Sequence, residues 1–536
     1  MCGIFAYLGD TIESKKIKDA FLKTYKRGPD DNILKIINSK LTFGFHRLSI
    51  MDASYKGNQP IYHPKKPYAV ICNGEIYNHQ ELIKNNNFLT YSHSDCEVVL
   101  YLYEKYGFEE MLKQIDSESF AICLYDGEKD ELLVGRDRFG VRPLFVSKTN
   151  NDEFIFSSEV KSISPLVNEE NIHQFQPGCW KSFSLIDNKD SNYFQYYSYS
   201  YPELELNNIP EICLTIKDKF TKSVQKRIMS ERPIGCLLSG GLDSSLVSAL
   251  VAKEFKNKNK GKLNTFSIGI KGSTDLVYAK KVADHIGSIH HTIELTEEDF
   301  LKAIPEVIYN IESYDTTTIR ASTGNYLVGK YIKENTDITV VFNGDGSDEQ
   351  SGYLYLANAP NPKDFKDECI KLLKEIHFYD VLRSDRSLSS NFSLETRAPF
   401  LDTEFVDFYM SIKTEFKMYE NRIEKYLLRL AFDNDDLLPK EVLWRKKEAF
   451  SDGCSSNERS WHKIIQEFVN TIITDEEFEN NKNKYEINKP ELKESYYYRK
   501  IFESHYPNQG QLIPHFWLPK WCGNKTDPSA RELEIY

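Results

Sequence analysis

The run Leu238-Ser239-Gly240-Gly241-Leu242-Asp243-Ser244-Ser245 decides the fold of this chain. The apolar residues 234–238 before it are typical of a buried parallel strand, and residues 246–252 after it are apolar at helical spacing. A strand, a glycine-rich turn and a helix are therefore expected. Such a turn gathers unpaired backbone N–H groups at a helix N-terminus, where the helix dipole favours an anion. The glycines allow close backbone approach and the serines add hydroxyl donors, so we expect a phosphate site.

The lysine of the common GxxxxGK[ST] nucleotide loop is absent from this turn. The match SGGLDSS after a strand instead resembles the PP-loop of the ATP pyrophosphatases, which split ATP into AMP and pyrophosphate. The resemblance implies that ATP is a substrate and that the loop binds it through Leu238, Ser239, Gly240, Gly241, Leu242, Asp243, Ser244 and Ser245. An ordinary serine-rich turn is the alternative, which a match of this length in this context disfavours.

Length and composition limit the class of protein. A chain of 536 residues is too long for one core, so two or three domains are expected. Charged residues make up 28% and hydrophobic residues 40%, which is typical of a soluble globular protein. No apolar run approaches the ~18 residues of a membrane span, and the start Met1-Cys2-Gly3-Ile4 has no basic segment of a secretory signal.

The cysteines and the net charge restrict compartment and partners. Ten cysteines are scattered without a CxxC pair or a His/Cys cluster, which predicts reduced thiols in a cytoplasmic protein and no zinc site. A net charge of −12 argues against a general nucleic-acid binder. The expected partners are small molecules, with neither nucleic acid nor membrane. A homodimer is compatible with the sequence, which does not fix the oligomeric state.

The N-terminal 200 residues contain many short strand patterns with helices between them, which predicts a layered α+β domain. Strands are expected at Gly3–Leu8, Leu41–Phe45, Ala69–Cys72, Ala121–Tyr125, Leu132–Val134 and Phe154–Phe156. Removal of Met1 would leave Cys2 with its thiol beside its own α-amino group. That amine has a reference pKa near ~8, so it can act as a base for the thiol.

Several clusters in this half carry a second resemblance. They are Cys2-Gly3-Ile4, Arg27-Gly28-Pro29-Asp30, the run 45–52 around Arg47, the run 73–78 that begins Asn73-Gly74-Glu75, and the run 94–97 around Asp95. Together they resemble the glutaminase domain of the N-terminal-nucleophile (class II) amidotransferases. That family has an αββα sandwich fold and hydrolyses glutamine to glutamate and ammonia.

The resemblance implies a role for each matching residue. Cys2 would be the nucleophile, and Asn73 with the Gly74 N–H would form the oxyanion hole. Arg47 would bind the α-carboxylate of glutamine, while Glu75 and Asp95 hold its α-amino group. The implied glutamine site also includes Leu48, Ser49, Ile50 and Met51. The chemistry agrees, because a guanidinium binds a carboxylate through two parallel bonds, and fixed neutral donors stabilise a tetrahedral oxyanion.

The C-terminal half is expected to be a doubly wound α/β domain whose ligands lie at the carboxyl ends of the strands. Strands are predicted at Ile234–Leu238, Leu263–Ile270, His290–Leu295 and Ile338–Phe342. The runs 314–323, 395–402 and 444–453 resemble the synthetase domain of the glutamine-hydrolysing asparagine synthetases. With the glutaminase motifs, that resemblance covers nearly the whole chain.

This resemblance implies the remaining site residues. Ile268, Asn343 and Gly344 would contact ATP, Lys447 would neutralise phosphate charge, and Thr317 and Arg320 would meet pyrophosphate or aspartate. Asp243 and Asp348 are expected at adjacent strand ends. Two carboxylates with phosphate oxygens suit Mg²⁺, which takes few protein ligands and keeps several waters. The EF-hand spacing of a calcium loop is missing.

The chain departs from the family pattern at three places. Lys26 stands where histidine is more usual. Asparagine synthetases usually read Ser-Gly-Glu-Gly-Ser-Asp-Glu where this chain has Asn343 for the serine and Asp345 for the glutamate. That glutamate is associated with the acyl-adenylate step, so Asp345 is a candidate catalytic residue with a shorter reach. The loop after Glu349 also looks one residue shorter, which either compensates for Asp345 or impairs the synthetase step.

The sequence therefore predicts a glutaminase domain at 2–197, a linker at 198–208 and a PP-loop synthetase domain at 209–536. The implied activity is synthesis of asparagine from aspartate and ATP with ammonia from glutamine. A related amide or lactam former is one alternative, although those relatives usually lack the N-terminal cysteine. A non-catalytic homologue is the other, and only Asp345 and the short loop suggest it.

Overall fold

A computed structural model describes residues 2–167, 172–419, 423–456 and 458–533. Residues before about 200 form two stacked antiparallel sheets. The first sheet has the strand order Ile172–Gln174, Phe145–Lys148, Phe154–Ser157, Gly3–Leu8, Leu41–Arg47, Asp31–Asn38. The second has the order Phe194–Gln195, Cys179–Ser184, Glu131–Arg136, Phe120–Asp126, Tyr68–Gly74, Ile61–Tyr62. The six strands predicted in this half are confirmed, five of them between one and three residues longer than predicted.

Alternation along the central strand Gly3–Leu8 explains the layers. Ile4, Ala6 and Leu8 face the second sheet and pack between the two sheets with Ala69 and Ile71. Phe5 and Tyr7 point the other way and pack with Ile17 and Phe21 of a covering helix. Because a strand sends successive side chains to opposite faces, one buried strand supports both a sheet–sheet core and a sheet–helix core. The helices of this half are Ser14–Leu22, His79–Asn86, Val98–Tyr106, Phe108–Gln114 and Val160–Ile163.

The second half is built on a five-stranded sheet in which every pairing is parallel. Its order is Ile289–Leu295, Asn264–Ile270, Ile234–Leu237, Val340–Phe342, Glu395–Arg397. The four predicted strands are confirmed. The fifth strand, Glu395–Arg397, was not predicted, because three residues are too few to display a periodicity. Its residues belong to the run 395–402 that carries the family resemblance.

Helices cover both faces of this sheet, so the predicted doubly wound architecture is confirmed. Phe266, Ile268 and Ile270 pack into one core and Ile234 and Cys236 into the other. The helices are Ile209–Lys226, Leu242–Asn257, Thr274–Ile286, Glu297–Ile311, Thr316–Asn335, Ser347–Ser351, Pro362–Glu375, Asp380–Phe392, Thr403–Ser411, Tyr426–Ala431, Lys440–Leu443, Phe450–Gly453, Trp461–Ile472, Asp475–Asn481 and Lys493–His505. Within the described ranges, no helix is both long and apolar enough to cross a bilayer.

Candidate active sites

Cys2 immediately precedes the strand Gly3–Leu8 in the interior of the first sheet. The strand Gly3–Leu8 pairs with Leu41–Arg47, with Gly3 opposite His46. This register brings the Cys2 Sγ to 3.7 Å from the Leu48 carbonyl oxygen, at the start of the predicted glutamine-binding run. Burial raises the pKa of the Cys2 thiol to about 11. The thiol is therefore protonated near pH 7 and needs a base before it can act as a nucleophile.

Two polar groups at the end of the strand Tyr68–Gly74 have no hydrogen-bond partner among the described residues. Asn73 Nδ2 and Glu75 Oε2 are both buried without a hydrogen bond, and the nearest cation to Glu75 Oε2 is Arg397 Nη2 at 3.7 Å. Gly74 lies between them, where an added Cβ would stand 2.7 Å from the Ser119 carbonyl oxygen, so the chain needs glycine there. Unpaired buried groups are costly. A donor and an acceptor left open at one place are what an oxyanion hole and an ammonium-binding site require.

The carboxylates at this site are disposed to accept a cation. Burial, reinforced by Glu395 and Asp95, raises the pKa of Glu75 well above its usual value. Burial likewise raises the pKa of Asp95, whose Oδ2 accepts a hydrogen bond of 2.7 Å from the Ile76 N–H. A bound ammonium would relieve the repulsion between these carboxylates and restore their ionised forms.

The guanidinium of Arg47, which is predicted to bind the α-carboxylate of glutamine, is already held by hydrogen bonds within the protein. Its Nη1 donates to the Ser54 carbonyl oxygen at 2.7 Å and to Asn58 Oδ1 at 2.6 Å, and its Nη2 donates to the Asp52 carbonyl oxygen. These bonds use three of the five N–H donors of a guanidinium. The remaining donors can still bind a carboxylate, and the bonds in place fix the plane of the guanidinium.

The glycine-rich turn has the strand–turn–helix geometry that its sequence predicts. It joins the strand Ile234–Leu237 to the helix Leu242–Asn257. Gly240 has φ +77°, and a Cβ there would lie 2.4 Å from the Ala279 N, so only glycine fits. Ser239 Oγ and Ser244 Oγ are 3.0 Å apart and close the turn. The first N–H groups of the helix are left for an anion.

A cavity of about 220 Å³ opens at the carboxyl ends of the parallel strands, above this turn. Most of the predicted synthetase residues line it: Leu238, Ser239, Gly241, Leu242, Asp243, Ser244, Ile268, Thr317, Asn343, Gly344, Asp345, Asp348 and Lys447. Gly240, Ser245 and Arg320 do not. The lining joins an apolar floor at Leu237 and Ile268 to a charged wall, which suits a nucleotide base and its phosphates.

Lys425, which no sequence pattern indicated, connects the two candidate metal ligands. Its Nζ lies 2.5 Å from Asp243 Oδ2 and 2.6 Å from Asp348 Oδ1. Lys447 Nζ lies 2.6 Å from Asp348 Oδ2. Burial alone would raise the pKa of Asp348, but Lys425 and Lys447 outweigh it and hold that pKa well below its usual value. The Asp348 carboxyl is therefore ionised at neutral pH.

The same cluster tests whether these residues fit Mg²⁺. A cationic ammonium already stands between Asp243 and Asp348, so the two carboxylates converge on a point that favours positive charge. Among the residues that the structure describes, no group of three or more His, Cys, Asp or Glu side chains could hold a metal alone. Two carboxylates fit an ion that takes its other ligands from phosphate and water.

Asp345 is held from two sides. Asn343 Nδ2 donates to its Oδ2 at 2.8 Å, and Arg383 Nη2 lies 3.7 Å from its Oδ1. Burial raises the pKa of Asp345 despite the opposing effect of Arg383. Asn343 and Asp345, two of the residues by which this chain departs from the family pattern, are thus in direct contact.

Thr317 and Arg320 start the helix Thr316–Asn335 but differ in position. Thr317 lines the cavity, and its buried Oγ1 has no hydrogen-bond partner in the described residues. Arg320 instead makes two hydrogen bonds with Glu494, at 2.8 Å and 2.6 Å, and two with Asp527, at 2.8 Å and 3.1 Å. The structure therefore does not place Arg320 against a substrate, because two carboxylates from later in the chain occupy its guanidinium.

The residues that sequence reasoning missed come from separate segments. Lys425 has φ +56° and lies in the short run before the helix Tyr426–Ala431, Arg383 is on the helix Asp380–Phe392, and Arg445 Nη1 donates to the Gly240 carbonyl oxygen at 3.2 Å. Arg445 stands within the quoted run 444–453, so its position could have been proposed. Lys425 carries no local signal, since a lone lysine is usually a solvated surface residue.

Comparison with known proteins identifies the family of this chain. A family model described as "Glutamine amidotransferase domain" matches residues 1–193, and one described as "Asparagine synthase" matches residues 215–364 and 353–522. Fold and site thus define an amidotransferase domain joined to an ATP-using α/β domain. The human and chicken proteins named "Asparagine synthetase [glutamine-hydrolyzing]" are 41% and 42% identical over 563 residues, covering 100% of this chain and 99% of each relative. The chain belongs to the family of glutamine-hydrolysing asparagine synthetases.

Proposed function

We propose that this chain synthesises L-asparagine from L-aspartate, with ATP as energy source and ammonia from glutamine hydrolysis. Glutamate, AMP and pyrophosphate would be released, and β-aspartyl-AMP would be the intermediate. The observation that carries the proposal is the presence of both half-sites in one chain whose full length matches the family. Asn73 Nδ2 is buried without a hydrogen-bond partner among the described residues, and Lys425 lies between Asp243 of the glycine-rich turn and Asp348.

In the glutaminase half, Cys2 attacks the side-chain carbonyl of glutamine. The raised pKa of its thiol requires a base, and the α-amino group of Cys2, freed by removal of Met1, is the candidate. Asn73 Nδ2 and the Gly74 N–H receive the oxyanion. Ammonia leaves as a thioester forms, and water then releases glutamate. Arg47 binds the α-carboxylate, and Glu75 with Asp95 binds the α-ammonium.

In the synthetase half, the turn 238–245 binds the phosphates of ATP and Ile268 contacts the base. Lys447 and Lys425 neutralise the charge of the leaving pyrophosphate. Asp345 lines the cavity and would act in the formation of the acyl-adenylate. Thr317 contributes a hydroxyl at the cavity wall that has no hydrogen-bond partner among the described residues. Asp243 and Asp348 would hold Mg²⁺, which supplies electrostatic stabilisation of phosphate oxygens when bound. Displacing Lys425 from between the carboxylates would then direct its ammonium toward the phosphates.

We also propose that ammonia crosses where the two domains meet. Arg397 Nη2, on the edge strand Glu395–Arg397, lies 3.7 Å from Glu75 Oε2. The sheet that carries the nucleotide site therefore borders the glutamine site directly. For the whole protein we propose a cytoplasmic location, domain limits at 2–197 and 209–536, and a homodimer, without nucleic-acid partners. All ten cysteines are free, which agrees with a reducing compartment.

Product analysis tests the proposal. The chain is incubated with glutamine, aspartate and Mg-ATP, and asparagine, glutamate, AMP and pyrophosphate are quantified over time. Equal amounts of asparagine, AMP and pyrophosphate are expected. Omission of aspartate should stop pyrophosphate release, and ammonium chloride should replace glutamine. Glutamate production without any asparagine would contradict the synthetase assignment. Asparagine formed with ammonium chloride but never with glutamine would contradict the glutaminase assignment.

A further inference from the structure

A buried ion network connects the candidate nucleophile to the other domain through Arg27. Arg27 Nε donates to the Cys2 carbonyl oxygen at 3.0 Å. Its Nη1 donates to Glu159 Oε1 at 2.8 Å and to Asp385 Oδ2 at 3.1 Å, and its Nη2 lies 3.4 Å from Asp385 Oδ1. One guanidinium therefore holds the backbone of Cys2 on one side and two carboxylates on the other.

The two carboxylates come from different domains. Glu159 precedes the helix Val160–Ile163 of the glutaminase half, whereas Asp385 is on the helix Asp380–Phe392 of the synthetase half. The side chains of Arg27, Glu159 and Asp385 are 0%, 1% and 2% exposed. Solvent cannot replace either carboxylate at this depth, so the orientation of Arg27 depends on a residue more than 350 positions away along the chain.

Among the described residues, Arg27 forms ion pairs with two carboxylates, those of Glu159 and Asp385. Glu159 is also bonded by Lys161 Nζ at 2.7 Å, so its charge is already shared. Arg142 Nη1 lies 3.7 Å from Asp385 Oδ1, and Arg142 also donates to the Thr396 carbonyl oxygen. Burial would lower the pKa of Arg27, but Asp385 first and Glu159 second raise it and keep the guanidinium charged. Loss of the Asp385 charge would leave the buried guanidinium of Arg27 with Glu159, whose charge Lys161 shares, as its other ion-pair partner.

We propose that Asp385 of the synthetase domain is a positioning residue of the glutaminase site, acting through Arg27 on the backbone of Cys2. It touches neither substrate nor the reacting atoms. Its effect is to fix the plane of Arg27, whose Nε then fixes the Cys2 carbonyl and the direction of the thiol. This inference rests on the proposed glutaminase role of Cys2. It adds that the glutaminase site is complete only when the synthetase domain is folded against it.

The test uses the full-length protein and the substitution Asp385→Asn, which keeps the shape and removes the charge. Misplacing a reacting group by about 1 Å can cost on the order of 10²-fold. We expect the glutaminase kcat to fall about 10- to 100-fold, with KM for glutamine within about 2-fold, because Arg47, Glu75 and Asp95 bind glutamine without Asp385. Alkylation of Cys2 by a diazoketone analogue of glutamine should slow in parallel. Asp385→Glu, which restores the charge, should recover part of the rate.

Two comparisons separate positioning from a general structural role. Asparagine synthesis from ammonium chloride should stay within about 2-fold of wild type in Asp385→Asn, because no reacting group of that half contacts Asp385. Asn391→Ala is the matched control: it removes another interdomain contact of the same helix, the 2.5 Å bond from Lys26 Nζ to Asn391 Oδ1, without touching Arg27. It should leave both activities unchanged.

The proposal has distinct failures. An unchanged glutaminase kcat in Asp385→Asn would overturn it, as would a higher KM with unchanged kcat. Parallel loss of both activities with a lower unfolding temperature would make Asp385 merely structural and would also overturn it. The proposed function itself fails differently, since a wild-type protein that Cys2 alkylation does not inhibit would refute the nucleophile assignment before any variant is compared.

Discussion

The two candidate sites differ in the direction of their pKa shifts. Around Cys2, burial raises the pKa of the thiol, of Glu75 and of Asp95, so these three groups are biased toward their neutral forms. Around Asp348, two lysines hold the pKa of the carboxyl far below its usual value, so that site is ionised before substrate arrives. The difference follows the chemistry: a neutral thiol must be activated by a base, whereas a polyphosphate needs positive charge already in place.

The largest expected effect is that of Cys2→Ala. Because only glutamine hydrolysis needs the thiol, glutamine-dependent synthesis should fall by roughly 10³-fold or more while ammonia-dependent synthesis is spared. Glutamate and asparagine are measured with each nitrogen donor. Cys522→Ala, which changes a partly exposed cysteine in the other domain, is the control. Normal glutamate release by Cys2→Ala would show that the nucleophile lies elsewhere.

Next in size is the effect of Lys425→Met. Its removal leaves Asp243 and Asp348 without their shared cation, so pyrophosphate release should fall about 10²-fold with glutaminase activity retained. Lys417→Met is the matched control, since Lys417 is also buried but bonds the Tyr409 carbonyl oxygen at 3.0 Å. Equal activity of Lys425→Met and wild type would remove Lys425 from the synthetase site.

Asp345 tests whether the synthetase site is complete with a shorter carboxylate. Asn343 already bonds Asp345 at 2.8 Å, so we expect Asp345→Ala to lose asparagine formation by about 10²-fold. Asp345→Glu should lower activity by about 10-fold, because a longer side chain would move the carboxylate from the position set by Asn343 and Arg383. Steady-state asparagine and pyrophosphate are compared in all three proteins. A gain for Asp345→Glu would mean that aspartate is a defect at this position.

The smallest effect is a stability change with pH beside the glutamine site. Burial lowers the pKa of His46 to about 4, and its ring stacks on Phe21 at 3.8 Å. The folded state holds His46 in its neutral form. The contribution of His46 to the free energy of unfolding is therefore fully present above the unfolded pKa near 6.5, and it is lost as the pH falls from there toward 4. Between pH 7.5 and 5 the loss should be about 2 kcal/mol.

Hydrogen exchange of the amides in Leu41–Arg47 would measure the change. His46→Gln is the reference, because a glutamine does not titrate, and its exchange should depend less on pH over the same interval. If acidification speeds amide exchange equally in wild type and His46→Gln, the loss of stability at low pH does not come from His46.

Much of the fold and of both sites follows from local sequence. The SGGLDSS turn fixes its own geometry, because Gly240 must adopt a positive φ and a helix must follow. The strand around Asn73-Gly74-Glu75 likewise places its polar residues at a strand end by alternation and length alone. Short-range sterics and periodicity are written into neighbouring residues, so a sequence displays them directly.

Other features were decided only by the tertiary structure. The three-residue strand Glu395–Arg397 exists because the neighbouring strand Val340–Phe342 offers it a parallel edge. Arg320 pairs with Glu494 and Asp527, and Lys425 reaches Asp243 across 182 positions of chain. These contacts depend on how distant segments pack and on the burial that strengthens each ion pair. Packing and burial are not encoded within a window of adjacent residues. For that reason the sequence predicted the turn and four of the five strands of its sheet, but neither the strand Glu395–Arg397 nor the position of Lys425.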